Sequence, residues 1–372
     1  MIKEFLKSFT AEVLEESLLA SLDKQRAHME VIVEEAEFDQ LYKWSTTIDG
    51  DLVHESGKFF RICGAQAINL KTGKQRWQPI IDQPEQGILG ITSRCKNGKI
   101  EILLQAKIEP GNRDRVQYSP TVQATKSNYT GVHKGKGVPY VDDYMPESKK
   151  VKSRGFQSEH GYKFYKKAND NIHVRDNTAL ALDERFVWLS LNDVRFLLGR
   201  EHCINMDTRS VLGTIDFIGR PLTYNEVFSH IGDNQSLEVD LLFSSLTVDG
   251  AVNTSDEIAT WLLNSKATPS IEHKIVPLKV LRHLGWTRTK NKICSATNKH
   301  FEVVGIKATI ESREVSSWYQ PIIRDNVPKI YAFLMKKINN TVQVLVQMVE
   351  EDFSWSGPEL GPTFHSVQSD KE

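Results

Sequence analysis

The chain has 372 residues, 40% of them hydrophobic and 26% charged, so it is long enough for one large or two smaller domains and is not composed like a disordered protein. Its 47 Lys and Arg nearly balance 48 Asp and Glu, which excludes the broad positive surface typical of proteins that bind duplex nucleic acid or anionic membranes. Four single cysteines without a CxxC pair indicate reduced thiols, and neither a secretory signal nor a membrane-spanning apolar run is seen, so we expect a cytoplasmic protein with no structural zinc.

The first strongly patterned stretch lies between residues 99 and 125. Apolar and polar side chains alternate through "KIEILLQAKIE" (99–109), which predicts a strand with one buried face. Residues 110–112, Pro-Gly-Asn, predict a turn, and a second alternation follows it. The polar residues of the two stretches are Gln105, Lys107 and Glu109, then Thr121, Gln123 and Thr125. Polar faces without an evident structural purpose indicate a candidate site.

Residues from about 131 to 250 have no counterpart elsewhere in the chain. They begin with a loop rich in Lys, Gly and polar residues, at 133–155. Further on, Ser190 with Asp193 predicts the N-terminal cap of a helix through "LNDVRFLLG", which Gly199 would end.

A long internal repeat relates the two ends of the chain. Residues 78–81, Gln-Pro-Ile-Ile, recur at 320–323, 242 positions further along. The flanks keep nearly the same offset: "FFRICG" (59–64) matches "HFEVVG" (300–305), "EILLQAKIEP" (101–110) matches "QVLVQMVEED" (343–352), and Trp44 matches Trp286. We infer a duplication covering about residues 12–125 and 256–367. Each copy is predicted to be a helix followed by strands, which gives an α+β fold of two related halves with mixed sheets and flanking helices.

Comparison of the two copies separates what the fold needs from what one site adds. Gln105 matches Gln347 and Glu109 matches Glu351, but Lys107 matches Val349. A second-copy strand through "TVQVLVQMVEE" is expected to turn Val342, Val344, Val346 and Met348 inward. Because polar groups present in the first copy alone are not required by the fold, Lys107 indicates a site there. The alternative is that Lys107 and Glu109 only pair across a solvated face.

Two common nucleotide-binding motifs are absent from the sequence. There is no GxGxxG and no GxxxxGK[ST], so neither a dinucleotide-binding unit nor a P-loop is predicted. "EVLEE" (12–16) is similar to the acidic core of a Nudix box, but Ala11 stands where that motif needs an arginine. Metal-dependent diphosphate hydrolysis is therefore poorly supported.

The chain as a whole resembles the NDP-hexose 2,3-dehydratases, which act on nucleotide-linked 4-keto-6-deoxyhexoses. The resemblance is carried, in order, by "WQPII", "GILG", "LLQAKIEPGN", "VQYSPTVQATKSNYT", "SEHGYKFY", "INMDTRSVL" and "WYQPII", over about residues 75–335. It implies two Nudix-like halves, a homodimer, a (d)TDP-4-keto-6-deoxyhexose as substrate and no cofactor or metal. His160 stands where the family has glutamine, so we do not expect it to be an essential base.

The reaction that the resemblance implies needs a base at C3, a donor for the departing C2 hydroxyl and a group that stabilises an enolate on the C4 oxygen. Glu109 is our candidate base and Lys107 the enolate stabiliser, with Tyr129 or Glu159 as the acid. The predicted substrate-binding residues are Trp77, Gln78, Gln105, Asn112, Thr121, Gln123, Thr125, Ser127, Asn128, Arg154 and Ser158, with Trp77 and Arg154 nearer the nucleotide. A possible second site comprises Trp318, Tyr319, Gln320 and Gln347.

The predicted organisation is a catalytic half at 1–200 and a C-terminal half at 201–372 that is structural or holds a secondary ligand site. The product, a 3,4-diketo-2,6-dideoxyhexose, would pass to a 3-ketoreductase. Two alternatives stay open. One is a Nudix-type nucleotide-sugar hydrolase, and the other is a non-catalytic nucleotide-sugar-binding partner of a ketoreductase.

Overall fold

The computed structural model describes residues 2–9, 12–129, 137–178, 181–231, 237–248, 250–296, 301–310, 315–325, 327 and 329–367. The N-terminal segment contains α1 (Ile2–Phe9), α2 (Glu15–His28), β1 (Val31–Ala36), β2 (Trp44–Thr46), β3 (Leu52–His54), β4 (Arg61–Asn69), β5 (Gln75–Asp82), β6 (Gly87–Lys96), β7 (Lys99–Ile108), β8 (Val116–Ser119) and β9 (Val122–Ala124).

The middle segment contains α3 (Lys126–Tyr129), a 3₁₀ turn (Val141–Tyr144), β10 (Val151–Ser158), β11 (Ala168–Arg175), β12 (Phe186–Ser190), α4 (Leu191–Leu198), α5 (Met206–Leu212), α6 (Tyr224–Ile231) and α7 (Leu237–Leu246). The C-terminal segment contains α8 (Ser255–Ala267), β13 (Ile271–Val276), a 3₁₀ helix (Leu278–Leu284), β14 (Trp286–Arg288), β15 (Lys292–Ser295), β16 (Phe301–Ile310), β17 (Ser317–Asp325), β18 (Lys329–Ala332), β19 (Leu334–Ile338), β20 (Thr341–Val349), β21 (Glu359–Pro362) and β22 (Phe364–Val367).

The expected α+β class is confirmed. The largest sheet has the order β10-β11-β6-β7-β12, with β8 paired to β7 and β9 paired to β6. It is mixed, because β11 runs parallel to β6 while β7 and β9 run antiparallel to it. The middle segment thus contributes β10, β11 and β12 to a sheet whose other strands come from the N-terminal segment.

The N-terminal and C-terminal segments each give a strand to the other's sheet. β1 pairs with β16, and β13 pairs with β4. The matched glycines of the repeat lie at these crossings, since Gly305 is opposite Ala36 and Gly64 is opposite Val276. The two segments share an order of elements, although descent from a duplication stays a prediction.

The matched tryptophans also bridge the two segments. Trp44 Nε1 donates to the Tyr319 carbonyl oxygen at 2.7 Å, and Trp286 Nε1 donates to the Trp77 carbonyl oxygen at 2.8 Å. Trp77 and Tyr319 both pack against the apolar cluster that contains Trp286. Their position in this shared core explains why aromatic residues precede both Gln-Pro motifs.

The predicted strand at 99–109 and the predicted helix after Ser190 are both confirmed. β7 buries its alternate apolar residues against α1 and α4. Ser190 accepts a hydrogen bond from the Asp193 amide, and the Asp193 carboxylate accepts one from the Ser190 amide, which is a complete capping box. Gly199 is the C-terminal cap of α4.

The second-copy strand is confirmed as β20, but the expectation that its apolar face points inward is wrong at Val344. Val344 is 46% exposed and its neighbour Leu345 is 55% exposed, whereas the matched Ile102 and Leu103 of β7 are fully buried. For Ile102 the difference arises because α1 and α4 cover its face of β7, while β20 pairs with β19 and β21 and leaves Val344 and Leu345 open. Among the described residues, no helix is long and apolar enough to span a membrane.

Candidate active site

Lys107 and Glu109 lie at the end of β7, as the alternation predicts. The Lys107 Nζ atom is 3.2 Å from Glu109 Oε1 and donates to the Gln123 carbonyl oxygen at 3.1 Å. Lys107 is 8% exposed, while about a third of the Glu109 side chain, 30%, stays accessible. The pair thus presents a reachable carboxylate beside a nearly buried cation.

Gln123 connects this pair to a second carboxylate. Its Nε2 atom donates to Asp207 Oδ2 at 2.6 Å. Burial raises the pKa of Asp207 to about 7, and the negative charges of Glu159 and Glu109 act in the same direction. The opposing charges of Lys107 and Lys167 are too weak to cancel this effect. A pKa in this range lets Asp207 hold a proton that it can release near neutral pH.

Glu159 and Lys167 close the same cluster from the middle segment. Glu159 Oε1 accepts from Asn169 Nδ2 at 2.5 Å, and Lys167 Nζ donates to the Glu85 carbonyl oxygen at 3.0 Å. Burial lowers the pKa of Lys167, and the charge of Glu159 opposes that shift. The cluster thus mixes carboxylates with ammonium groups in a partly dry space, which is the setting in which proton transfer can be tuned.

The short helix α3 forms another wall. The Thr125 hydroxyl lies 2.9 Å from Ser127 Oγ and donates to Asn128 Oδ1 at 3.2 Å. Ser127 donates to Glu85 through its amide at 2.9 Å and its hydroxyl at 3.1 Å. Tyr129 packs against an apolar cluster, and burial together with the charge of Glu85 raises the pKa of its phenol.

Two predicted substrate-binding residues, Gln105 and Thr121, make contacts that their counterparts in the C-terminal segment repeat. Gln105 Nε2 donates to the Pro120 and Thr121 carbonyl oxygens at 2.9 and 3.3 Å, and the Thr121 hydroxyl donates to the Leu103 carbonyl oxygen. In the C-terminal segment the Gln347 side chain donates to the Thr363 carbonyl oxygen at 3.2 Å, and the Thr363 hydroxyl donates to the Leu345 carbonyl oxygen. The glutamine and threonine therefore hold neighbouring strands together, and their predicted contact with a sugar stays a prediction.

Other predicted residues lie away from the Lys107 cluster. The Gln78 side chain is buried and donates to the Tyr162 carbonyl oxygen at 2.7 Å, while Trp77 belongs to the shared core. Arg154 donates to the Tyr144 carbonyl oxygen at 2.9 Å and pairs with Asp170 at 3.3 Å. Asn112 lies in the turn after β7, where its Nδ2 atom is buried without a partner among the described residues.

A pocket of about 170 Å³ lies between the middle segment and the C-terminal strands, and Glu159 of the Lys107 cluster is among its lining residues. Ser158 lines it and donates to Glu359, and Glu351 accepts from the Gly161 amide. His160 also lines this pocket, and burial lowers its pKa to about 4, so it is neutral at pH 7. Trp318, Tyr319, Gln320 and Gln347 are not among the described lining residues, so a ligand site at these four positions stays a prediction.

Sequence reasoning missed Asp207, although "INMDTRSVL" was one of the matching blocks. Asp207 is distant in sequence from Gln123, and no local pattern connects a helix start to a strand across that distance. Glu85, Lys167 and Asn169 were missed for the same reason. The signal that could have found Asp207 was an acidic residue two positions after the Asn205 cap, in the first turn of α5.

Comparison with known proteins identifies the family. The model of the NDP-hexose 2,3-dehydratase family matches residues 15–215 and 255–372, and the chain belongs to this family. It is similar to three curated proteins, each described as a dTDP-4-dehydro-6-deoxy-alpha-D-glucopyranose 2,3-dehydratase. Identity is 36% with the protein of Saccharopolyspora spinosa, over 88% of this chain and 66% of the relative. Identity is 32% with the protein of Amycolatopsis orientalis, over 88% of this chain and 64% of the relative. It is 33% with the protein of Streptomyces violaceoruber, over 84% of this chain and 67% of the relative. The chain thus spans about two thirds of the length of these relatives.

Proposed function

We propose that this protein removes the C2 hydroxyl of a (d)TDP-4-keto-6-deoxyhexose, giving a 3,4-diketo-2,6-dideoxyhexose still attached to the nucleotide. Family membership and the names of the relatives support this substrate class. The observation that carries the proposal is the Lys107–Glu109 pair, 3.2 Å apart, at a position where the second segment has Val349.

The chemistry follows from the substrate's own ketone. The C4 carbonyl acidifies the C3 proton, because the electron pair left at C3 delocalises as an enolate onto the C4 oxygen. Glu109 takes that proton, and the Lys107 ammonium stabilises the enolate oxygen. The enolate then collapses, which restores the C4 ketone and forms a C2–C3 double bond, while the C2 hydroxyl takes a proton from an acid of the enzyme and leaves as water. The resulting enol tautomerises to the C3 ketone, and a proton is added at C2.

Trapping the product tests this proposal. The purified protein is incubated with dTDP-4-keto-6-deoxyglucose in D₂O, with a 3-ketoreductase and NADPH to reduce the diketone as it forms. We expect a 2-deoxy product that carries deuterium at C2. Glu109→Gln should lower turnover and C3 deuterium exchange together, by about 10²- to 10⁴-fold, because one base serves both. Glu272→Gln, an exposed carboxylate on β13, is the matched control.

Other outcomes would favour the alternatives. Release of a nucleoside monophosphate in the presence of Mg²⁺ would indicate a nucleotide-sugar hydrolase. Binding of the substrate with no chemical change would indicate a non-catalytic partner of a ketoreductase. Full turnover by Glu109→Gln with unchanged C3 exchange would refute the assignment of the base without refuting the reaction.

We also propose a homodimer formed through the open C-terminal strands. Leu334 on β19, Leu345 on β20 and Phe364 on β22 are 63%, 55% and 52% exposed. An apolar surface of this kind supports an interface. The matched Leu103 is buried by other parts of the chain, whereas Leu345 is exposed and would be buried only if a partner covered it. A second copy of the chain supplies a cover of the same composition.

Sedimentation or light scattering tests the dimer. Leu345→Glu should give monomers at micromolar concentration, because a charge would be buried at the interface. Ile48→Glu, at a position that is 92% exposed in the N-terminal segment, should leave the dimer intact. A wild-type protein that stays monomeric at every concentration would exclude this proposal.

The product and the cysteines support two further parts of the proposal. A vicinal diketone is reactive, so a ketoreductase that reduces C3 is the class of enzyme that must consume it. All four cysteines are free, with Cys63 and Cys203 buried. Free thiols agree with the reducing cytoplasm, where we place both enzymes.

A further inference from the structure

Asp207 is held in place by the first turn of α5. Asn205 caps this helix by accepting from the Thr208 amide at 2.8 Å, and it donates to Ser119 Oγ at 2.9 Å. The Thr208 hydroxyl donates to the Tyr118 carbonyl oxygen at 3.1 Å. These contacts fasten the start of α5 to β8, so the Asp207 carboxyl has a fixed position over the neighbouring strand β9.

A chain of contacts connects Asp207 to the proposed base. Asp207 accepts from the Gln123 side chain at 2.6 Å, the Gln123 backbone accepts from Lys107 at 3.1 Å, and Lys107 lies 3.2 Å from Glu109. The two carboxyl groups are thus separate: the Gln123 side chain holds Asp207, whereas the Gln123 backbone holds Lys107, which in turn pairs with Glu109. A β-elimination needs this arrangement, since the base acts at C3 and the acid at the oxygen on C2.

The two carboxyl groups also differ in their partners. Glu109 faces an ammonium group, whereas the hydrogen-bond donor to Asp207 is a neutral amide. Around Asp207 stand Glu159 at the end of β10, Glu109 after β7, Lys107 on β7 and Lys167 before β11, and burial with the two carboxylates raises its pKa to about 7. Pairs of carboxyl groups whose environments favour opposite protonation states divide naturally into a base and an acid.

The other candidate acids are less suited. The pKa of the Tyr129 phenol is raised above its usual value near 10, so it holds its proton too tightly to match a neutral working pH. The Glu159 carboxylate is already engaged as the acceptor of a hydrogen bond from Asn169 Nδ2. Asp207 is half-buried, so a ligand in the cluster can reach it.

We infer that Asp207 is the general acid that protonates the C2 hydroxyl as it leaves. This assignment rests on the proposed dehydration. As the enolate collapses, the C2–O bond breaks, the oxygen takes the Asp207 proton and departs as water, and Asp207 is left as a carboxylate. Gln123 donates to Oδ2, so the transferred proton is carried on Oδ1.

Separate measurement of C3 exchange and dehydration tests the role. In D₂O, Asp207→Asn should still exchange the C3 proton of dTDP-4-keto-6-deoxyglucose at nearly the wild-type rate, because Glu109 and Lys107 are intact. Dehydration should fall by about 10²- to 10³-fold, because no acid protonates the leaving group. Asp207→Glu should recover part of the dehydration. Asp39→Asn, an exposed residue of the N-terminal segment, is the control.

Two results with Asp207→Asn would overturn the inference. Wild-type dehydration by Asp207→Asn overturns the inference, and so does loss of C3 exchange in a variant that is folded and keeps the wild-type affinity for dTDP. If Asp207→Asn is unfolded, Asp207→Glu decides, since a folded glutamate variant with no dehydration also overturns it. If the wild-type protein gives C3 exchange but no 2-deoxy product, the proposed function fails first, and the inference fails with it.

Discussion

Lys107 is the residue that most clearly distinguishes the N-terminal segment from the C-terminal segment, where Val349 takes its place. Lys107→Val copies that difference and should not disturb the strand. Because the enolate oxygen would lose its cation, we expect both C3 exchange and dehydration to fall by about 10²- to 10³-fold. Rates measured by NMR in D₂O check this. Lys96→Val, at the exposed end of β6, is the control, and unchanged C3 exchange in Lys107→Val would contradict the role.

At the scale of single residues, the sequence predicted the parts of the candidate site that lie together along one strand. The alternation along β7 placed Lys107 and Glu109 together correctly. It did not predict Asp207, because a contact between β9 and the start of α5 depends on how distant segments pack. It also could not show that Trp77 packs into a core with Trp286, since an aromatic residue has the same pattern in a core as at a binding site.

The unusual proton affinity of Asp207 predicts a pH-dependent stability. Its pKa is about 7 in the folded chain against an ordinary value of 3.8, so the folded state binds the proton more tightly than the unfolded state does. The stability that the neutral carboxyl contributes is therefore fully present below about pH 4 and is lost as the pH rises through 7. The free energy of unfolding of Asp207→Asn, relative to that of the wild type, should accordingly rise by about 1 to 4 kcal/mol as the pH is raised from 4 to 8.

Urea unfolding at a series of pH values measures this difference. Asp39→Asn should follow the wild-type curve, because that side chain is exposed. A free energy of unfolding that differs between Asp207→Asn and the wild type by the same amount at pH 4 and pH 8 would show that the carboxyl is not perturbed.

At the scale of elements, β6 depends on a close approach that only glycine permits. A Cβ atom at Gly90 would lie 2.1 Å from Tyr144 Cε1 and 2.4 Å from Cδ1. Tyr144 has no room to move, since it is fully buried and its hydroxyl lies 2.6 Å from Thr92 Oγ1. Gly90→Ala should therefore destabilise the protein by about 1 to 3 kcal/mol or more. It should also lower activity, because β9, which carries Gln123, pairs with β6 here.

Thermal unfolding checks the cost of that substitution. Gly155→Ala on β10 is the matched control, because a Cβ atom there has no neighbour within 4 Å. Equal Tm values for the two variants would refute the steric explanation.

Periodicity predicted the existence of elements better than their surroundings. It identified β7 and β20 as strands, and cap chemistry fixed α4 between Ser190 and Gly199. The same pattern could not distinguish the buried Leu103 from the exposed Leu345, since what covers a strand is decided by other elements or by another chain.

At the scale of the whole molecule, the two segments of the repeat are connected through shared sheets. β1 extends the sheet of β16 and β13 extends the sheet of β4, so removal of either segment leaves the other without a strand. Trp44 and Trp286 add a hydrogen bond in each direction. The cluster around Trp286 also draws buried residues from both segments, so we expect the segments not to unfold independently. The division at residue 200, between a catalytic half and a C-terminal half, therefore stays a prediction about the roles of the two halves.

This exchange predicts one cooperative unfolding transition. The crossing glycines are matched probes: a Cβ at Gly64 would lie 2.9 Å from Val276 Cγ2, and one at Gly305 would lie 2.5 Å from the Ala36 carbonyl oxygen. Gly64→Val and Gly305→Val should each weaken an exchanged strand. Each variant should therefore shift a single transition to lower urea concentration, and tryptophan fluorescence and far-UV circular dichroism should report the same midpoint. If Gly305→Val splits the transition and leaves one midpoint at the wild-type value, the segments unfold independently and the exchanged strands do not couple them.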